Sequence, residues 1–387
     1  MKRLLAVLWI ALANAGPVCA QALEPLRPGE RPTPGSTEAE LWYGMDQAEK
    51  RIRQSPLIVR DPALNAYVRT VLCRVTGEYC KDLRLYIVDI AVFNASMAPN
   101  GVTLVFTGAL LRMRDEAELA VVLGHEFAHY RARHSLEGWN SAKRTSAFLA
   151  TFGLVTLGIG APLAGDLAAL AGVGGLFKQS RDNEREADRL GLLAAVAAGY
   201  DPQAGVRLWE RLRREERADR THKDRAVFAS HPQTEERVAD IRTAAAQHPG
   251  DGMRNIDAYR GAIRPFLPHW LQGELSRRTY DTTVQALTEL RQDAPPESAA
   301  LCTFHLAEAL RRRNKGDDAQ KAAALYAEAV ALPGPPPEAW REHGLQLRHH
   351  GRHTEAARAL RRYLDAAPHA DDAALMRHYL TQLESAP

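Results

Sequence analysis

"GHEFAHYRARH", residues 124–134, sets two histidines four positions apart around a glutamate and adds a third histidine five positions on. Four residues of α-helix advance the chain by about 400°, so His125 and His129 project from nearly one face and reach a single metal ion. Glu126 stands about 100° round from His125, close enough to take a proton from a water at that metal without ligating it. His134, nine positions from His125, is half a turn out of phase and is placed outside the ligand set. A hydrolytic zinc site takes three protein ligands and keeps one position open, so the histidine pair demands a third donor elsewhere.

"NEREADRLGLLAAVAAGY", residues 183–200, supplies one. Glu184 and Asp188 are one helical turn apart on the same face, so Glu184 is assigned as the ligand and Asp188 as its support, accepting a histidine N–H. Glu186 points the other way and pairs with Arg185 or Arg189. A solvated acidic helix start is the competing account of this stretch, since carboxylates favour helix N-termini in any case. A bare H-E-x-x-H turns up by chance in roughly a few per cent of chains this size, so the acidic helix carries the weight.

Upstream, "STEAELWYGMDQAEKRIRQ" (36–54) and "DPALNAYVRTVLCRV" (61–75) have the pattern of helices, the first opening at Ser36. "LRLYIVDI" (83–90) and "VTLVFTG" (102–108) have the pattern of strands on either side of the turn "APNG" (98–101). Helices, few strands, then helices predict a mainly α (α+β) fold with a small sheet. The second strand is expected at the sheet edge beside the metal, where Asn100, Gly101, Val102 and Thr103 would pair with an extended peptide backbone. Cys73 and Cys80, in "CRVTGEYC", flank a Gly77 turn and are expected to form a disulfide, while Cys302 sits among apolar helix residues as a core filler.

The first twenty residues stand apart. A basic start at Lys2-Arg3, an apolar run from Leu4 to Ala15 and small residues ahead of Gln21 predict a cleaved secretory signal, and the poor fit of Gly16-Pro17-Val18 before Cys19 argues against a lipid anchor. Residues 21–35, rich in proline and glycine, are expected to be an exposed leader. Without Lys2 and Arg3, 48 basic residues face 47 acidic ones, which leaves no basic excess for nucleic-acid binding. Ala147 to Gly165 carries no charge, but its glycines, Pro162 and the adjoining Asp166 favour a buried or lid-like helical pair over a span, with residues 147–177 as a reversible membrane or partner contact.

The C-terminal part is periodic. Ala322, Tyr326 and Ala329 recur 34 residues later as Ala356, Leu360 and Tyr363, the period of a tetratricopeptide repeat. Trp340, Gly344, Leu347 and Pro368 fit that repeat, "YDTTVQALTELRQDAP" (280–295) is a weaker unit, and "DDAALMRHYLTQLE" (371–384) would cap the stack. The expected division is a domain holding the metal motif over 36–255 and a repeat domain over 256–387.

The histidine motif, the "EADRLG" helix some sixty residues on, "NGVTLVFTGAL" before and "SHPQTEERVADIR" after resemble the HtpX and CAAX-prenyl-protease family of zinc metalloendopeptidases over about residues 40–380. Exported bacterial members with tetratricopeptide repeats are the nearest likeness. The resemblance implies a zincin-like domain with one zinc at His125, His129 and Glu184, Glu126 as general base, and Asp188 and Arg237 supporting the ligands. It also implies a periplasmic role in quality control of outer-membrane proteins, with unfolded or misassembled proteins as substrates and the assembly machinery as partner of the repeats. It brings His231 beside the metal, either as a donor to the oxyanion or, as expected here, as a latch on the open metal position. The alternatives are a chaperone or scaffold acting through its repeats, and an integral-membrane protease resting on residues 147–165.

Overall fold

A computed structural model describes residues 23–142, 180–219 and 235–385. Residues 1–20, expected to be a signal, residues 147–177 and His231 lie outside them.

Helix α1 (Thr37–Gln54) begins where the Ser36 hydroxyl accepts the Ala39 N–H at 3.1 Å. Helix α2 (Pro62–Thr76) begins at the Asp61 cap with proline in its first turn, and ends at Gly77. A disulfide joins Cys73, in its last turn, to Cys80 in the following 3-10 stretch, with Cα atoms 4.8 Å apart.

Three strands follow: β1 (Arg84–Val88), β2 (Ala95–Met97) and β3 (Val102–Phe106), in the order β1-β3-β2, with β3 parallel to β1 and antiparallel to β2. The strand expected at the edge is therefore the central one. Every residue of β3 is buried and both its backbone sides are spent on neighbours, as its unbroken apolar run would require. Asn100 and Gly101 build the turn before it: the Asn100 amide donates to Asp46 at 2.7 Å, and at Gly101, with φ 84°, a Cβ would lie 2.3 Å from the Asp82 carbonyl oxygen. Val102 and Thr103 face β1 and β2, not a peptide.

The outer side of β1 is covered by Leu57–Val59, whose backbone bonds Ile87 and Asp89. Among the described residues no strand pairs with the outer edge of β2. The Ala98 N–H bonds to Val102 and the Phe106 N–H to Asn94, so alternation turns the N–H and C=O of Ala95 and Met97 away from β3.

After α3 (Thr107–Arg112), the motif helix α4 (Glu116–Arg131) is capped by Asp115 and buried without a break from Glu116 to Tyr130. It is the axis of the domain: α2, β2, α5 (His134–Ala142), α6 (Arg181–Ala197) and α7 (Ala204–Ala218) pack on it, and α8 (Glu235–Ala246) closes over α6 and α7. The leader is not a free arm where it is described. Leu26 is buried, its N–H donates to the Arg131 carbonyl at 2.8 Å, and its own carbonyl accepts the Tyr79 hydroxyl at 2.7 Å. A leucine between prolines retains enough apolar surface to dock although the composition is that of a loop.

Helices α9 (Ile256–Ile263), α10 (Leu267–Ser276), α11 (Tyr280–Gln292), α12 (Pro296–Arg313), α13 (Asp318–Ala331), α14 (Pro337–His349), α15 (His353–Ala366) and α16 (Ala373–Ser385) complete the chain. From α11 on, successive helices pack on one another as helical repeats, and the periodic residues Ala322, Tyr326, Ala329, Ala356, Leu360 and Tyr363 are all buried. The break expected after residue 255 is not a gap in packing. Tyr259 donates to the Leu110 carbonyl at 2.5 Å, and one core cluster runs from Leu64 through Trp270 and Phe304 to Ala339. Among the described residues no helix is long and apolar enough to cross a membrane.

Candidate metal centre

Two glycines bring the halves of the site together. A Cβ on Gly124 would lie 2.6 Å from the Gly191 carbonyl oxygen, and one on Gly191 would lie 2.5 Å from the His125 nitrogen. Side chains there would force α4 and α6 apart, so the pair sets the closest approach of the two helices. Facing turns then carry His125 and His129 from α4 and Glu184 from α6, all at most 3% exposed.

Their donor atoms converge within 4.8 Å of one another. The two Nε2 atoms are 3.1 Å apart, and the Glu184 carboxylate approaches His129 Nε2 at 3.4 Å and His125 Nε2 at 3.7 Å. His125 Nδ1 lies 3.0 Å from Asp188 Oδ1, so its proton belongs on Nδ1 and its Nε2 presents a lone pair. Two imidazole lone pairs and a carboxylate turned on one another in a buried space repel unless a cation lies among them. The donor set fits zinc.

Arg237 of α8 closes the site from behind. Its Nε and Nη2 donate to Asp188 at 2.7 and 2.8 Å, and its Nη1 lies 2.8 Å from Glu184 Oε2. Trp209 of α7 adds an indole N–H to Asp188 at 3.3 Å. Burial pushes the Asp188 carboxyl up, but hydrogen bonds from Arg237 and His125 and the Arg237 charge outweigh it and hold the group at about 2. Burial likewise opposes the charge on Arg237, which Asp188, Glu184 and Glu126 keep protonated. Glu126 is buried on the next step of α4, within the field of Arg237.

The structure thus gathers His125, His129, Glu184, Glu126, Asp188 and Arg237, and leaves Asn100, Gly101, Val102 and Thr103 in the sheet turn and its central strand. Glu186 does not pair with its arginine neighbours as expected: Arg185 is taken by Asp240 at 2.6 Å, and Glu186 Oε2 faces His134 Nε2 at 3.5 Å. His134 itself lies against the site, its Nδ1 2.9 Å from His129 Nδ1. Burial lowers its pKa, against the pull of Glu186 and Glu137. Trp209 and the two glycines were also missed. The "GH" and "LGL" spacings mark helix contacts only once the two helices are known to cross.

A helix carrying two histidines and a buried glutamate, crossed by a second helix that brings the third donor, defines a metallopeptidase domain of zincin type. Residues 59–245, just under half of the chain, match the model of Peptidase family M48. It is similar to the putative beta-barrel assembly-enhancing protease of Vibrio cholerae, 32% identical over 257 residues, 62% of this chain and 52% of that one. To the beta-barrel assembly-enhancing protease of Escherichia coli K12 it is 29% identical over 262 residues, 64% of this chain and 53% of that one. The mitochondrial metalloendopeptidase OMA1 of Schizosaccharomyces pombe is 35% identical over 181 residues, 45% of this chain and 51% of that one. The chain spans about half the length of these relatives.

Proposed function

We propose that the protein is a zinc metalloendopeptidase that is exported to the periplasm and cleaves unfolded or misassembled proteins, outer-membrane proteins among them. The observation that carries the reading is the buried convergence of His125, His129 and Glu184, with Glu126 on the same helix outside the ligand set. Similarity to proteases named for enhancing beta-barrel assembly supports the substrate class, and the basic, apolar and small-residue order of the first twenty residues supports export.

When bound, zinc supplies a Lewis acid that makes water nucleophilic near neutral pH and polarises the peptide carbonyl. Glu126 accepts the proton of the attacking water and returns it to the leaving amine. His125 is held by Asp188, and Asp188 by Arg237 and Trp209, so the ligand ring keeps its tautomer and aim. An extended substrate adds itself to the outer edge of β2, which lies against α4, through the backbone groups of Ala95 and Met97. Backbone pairing of this kind accepts many sequences, which suits unfolded clients. The helical repeats, read as tetratricopeptide units, hold the client or a partner in the assembly machinery.

The purified full chain should contain one zinc and hydrolyse an unstructured peptide, and chelation should stop it. Glu126→Gln should keep the zinc and lose hydrolysis by about three orders of magnitude or more, as for loss of a proton-transfer group. Zinc lost together with activity in that variant would make Glu126 a ligand and sink the division of roles.

A further inference from the structure

The two histidines of the site are held by different partners. His125 has an ionised carboxylate, Asp188, at its Nδ1, whereas His129 has the ring of His134. Helical phase put His134 on the far side, but phase applies only within one helix. Helix α4 ends at Arg131, and Arg133 then takes φ 59°, turning the chain so sharply that His134 opens α5 and points back at His129. A left-handed conformation is costly for a residue with a Cβ, and persists where the surroundings over-determine it.

The surroundings do so here. The Arg133 guanidinium is paired with Glu30 of the leader and with Glu38 of α1, the latter at 3.2 Å. The leader is itself anchored alongside by Leu26 on Arg131 and by the Gly29 N–H on Asp82 at 2.7 Å.

We infer that His134 is a positioning residue that fixes the ring and tautomer of the metal ligand His129, and that Glu30 and Glu38 hold it in place through Arg133. The inference rests on the metallopeptidase reading and deepens it. Only one set of proton positions serves it. His129 gives its Nε2 lone pair to the metal and so carries its proton on Nδ1. That N–H donates to the Nδ1 lone pair of His134, whose own proton sits on Nε2, turned to Glu186. Residues 26–30 of the leader are thereby tied to the metal site.

The test is zinc affinity of the full-length metal-free chain, measured by competition with a chromophoric chelator, beside its melting temperature without metal. His134→Ala should weaken zinc binding about 10–100-fold, the usual effect of losing a ligand's supporting partner. His134→Asn, whose Oδ1 replaces the Nδ1 acceptor, should recover most of it. Glu30→Gln with Glu38→Gln should weaken zinc several-fold, on the order of half a decade. Arg133→Gly, which takes the turn without cost, should bind like wild type and make those two changes silent. Equal zinc affinity in wild type and His134→Ala would overturn the inference. So would an Asn variant as weak as Ala, which would leave His134 a space-filler. Unchanged affinity in the Glu30→Gln, Glu38→Gln chain would overturn the role of the leader. A wild-type chain that binds no zinc would instead refute the metallopeptidase reading itself.

Discussion

Arg112 Nη1 donates to Glu274 Oε2 at 3.1 Å and its Nε to Glu215 at 2.8 Å, with all three side chains buried. A cation from the helix after the central strand is thus neutralised jointly by α7 and α10. Thr283 of α11 donates to the same Glu274 at 3.0 Å. Helix α10 and the first repeat helix, α11, are therefore structural partners of the helices around the metal centre.

Glu274→Gln leaves Arg112 paired with Glu215 but takes the carboxylate from Arg277, which donates to Glu274 at 2.8 Å, and weakens the charge-assisted hydrogen bonds from Arg112. It should lose about 1–3 kcal/mol in chemical denaturation of the full chain. Cutting the chain after residue 267 removes Glu274 together with the apolar cover of Trp270 and Leu271, and should give an insoluble or molten fragment. A fragment that melts cooperatively near the full chain would show that the cores are separable after all.

The glycine crossing gives a sharper local expectation. Gly191→Ala puts a methyl 2.5 Å from the backbone of His125, where neither rotamer change nor side-chain motion relieves it. The helices must separate by a fraction of an ångström, and Glu184 moves off the histidines with them. Zinc affinity should fall at least about tenfold, and overpacking of this kind costs about 1–3 kcal/mol of stability. An alanine variant with wild-type zinc affinity would mean that the crossing has slack.

The sequence was most legible where chemistry is bound to helical period. His125, His129, Glu184 and Asp188 follow from spacing because one helix carries each pair, and the caps at Ser36 and Asp61 follow from short polar side chains before apolar periodicity. The rest depends on crossings. The edge strand was misassigned because β2 has only three residues, Ala-Ser-Met, too few for alternation to register. His134 was discarded because a non-glycine left-handed residue at 133 has no signature in the sequence. The shared core beyond residue 255 was hidden for a similar reason, since Arg112 and Glu274 are 162 positions apart.

Glu308 in the repeats predicts a pH effect with a definite sign. Burial pushes its carboxyl up, but hydrogen bonds from Arg311 and Tyr326 and the charges of Arg311 and Arg312 hold it at about 2. A folded pKa below the unfolded one stabilises the fold fully above the unfolded value, about 4.3, and the contribution fades as pH falls through about 2. Above pH 5 the shift corresponds to about 3 kcal/mol. Glu308→Gln should thus be less stable than wild type at pH 7, and the gap should close between about pH 4 and pH 2. A gap that stays constant over that range would assign the loss to shape, not charge.

Glu184 and Asp188 should separate when each is replaced. Glu184→Ala removes a donor atom, so zinc occupancy itself should collapse and hydrolysis with it. Asp188→Asn keeps an acceptor for His125 Nδ1 but takes the charge from beneath Arg237, which now spends two donors on Asp188 and one on Glu184. Released from Asp188, the guanidinium competes with the metal for the Glu184 carboxylate. Zinc affinity should fall about 10–100-fold without vanishing, and saturating zinc should restore much of the turnover. Replacing Arg237 by leucine in the Asp188→Asn chain removes the competitor, so affinity should rise again relative to Asp188→Asn alone. If the leucine weakens zinc further, Arg237 acts by holding the ligands in place, and the competition account fails.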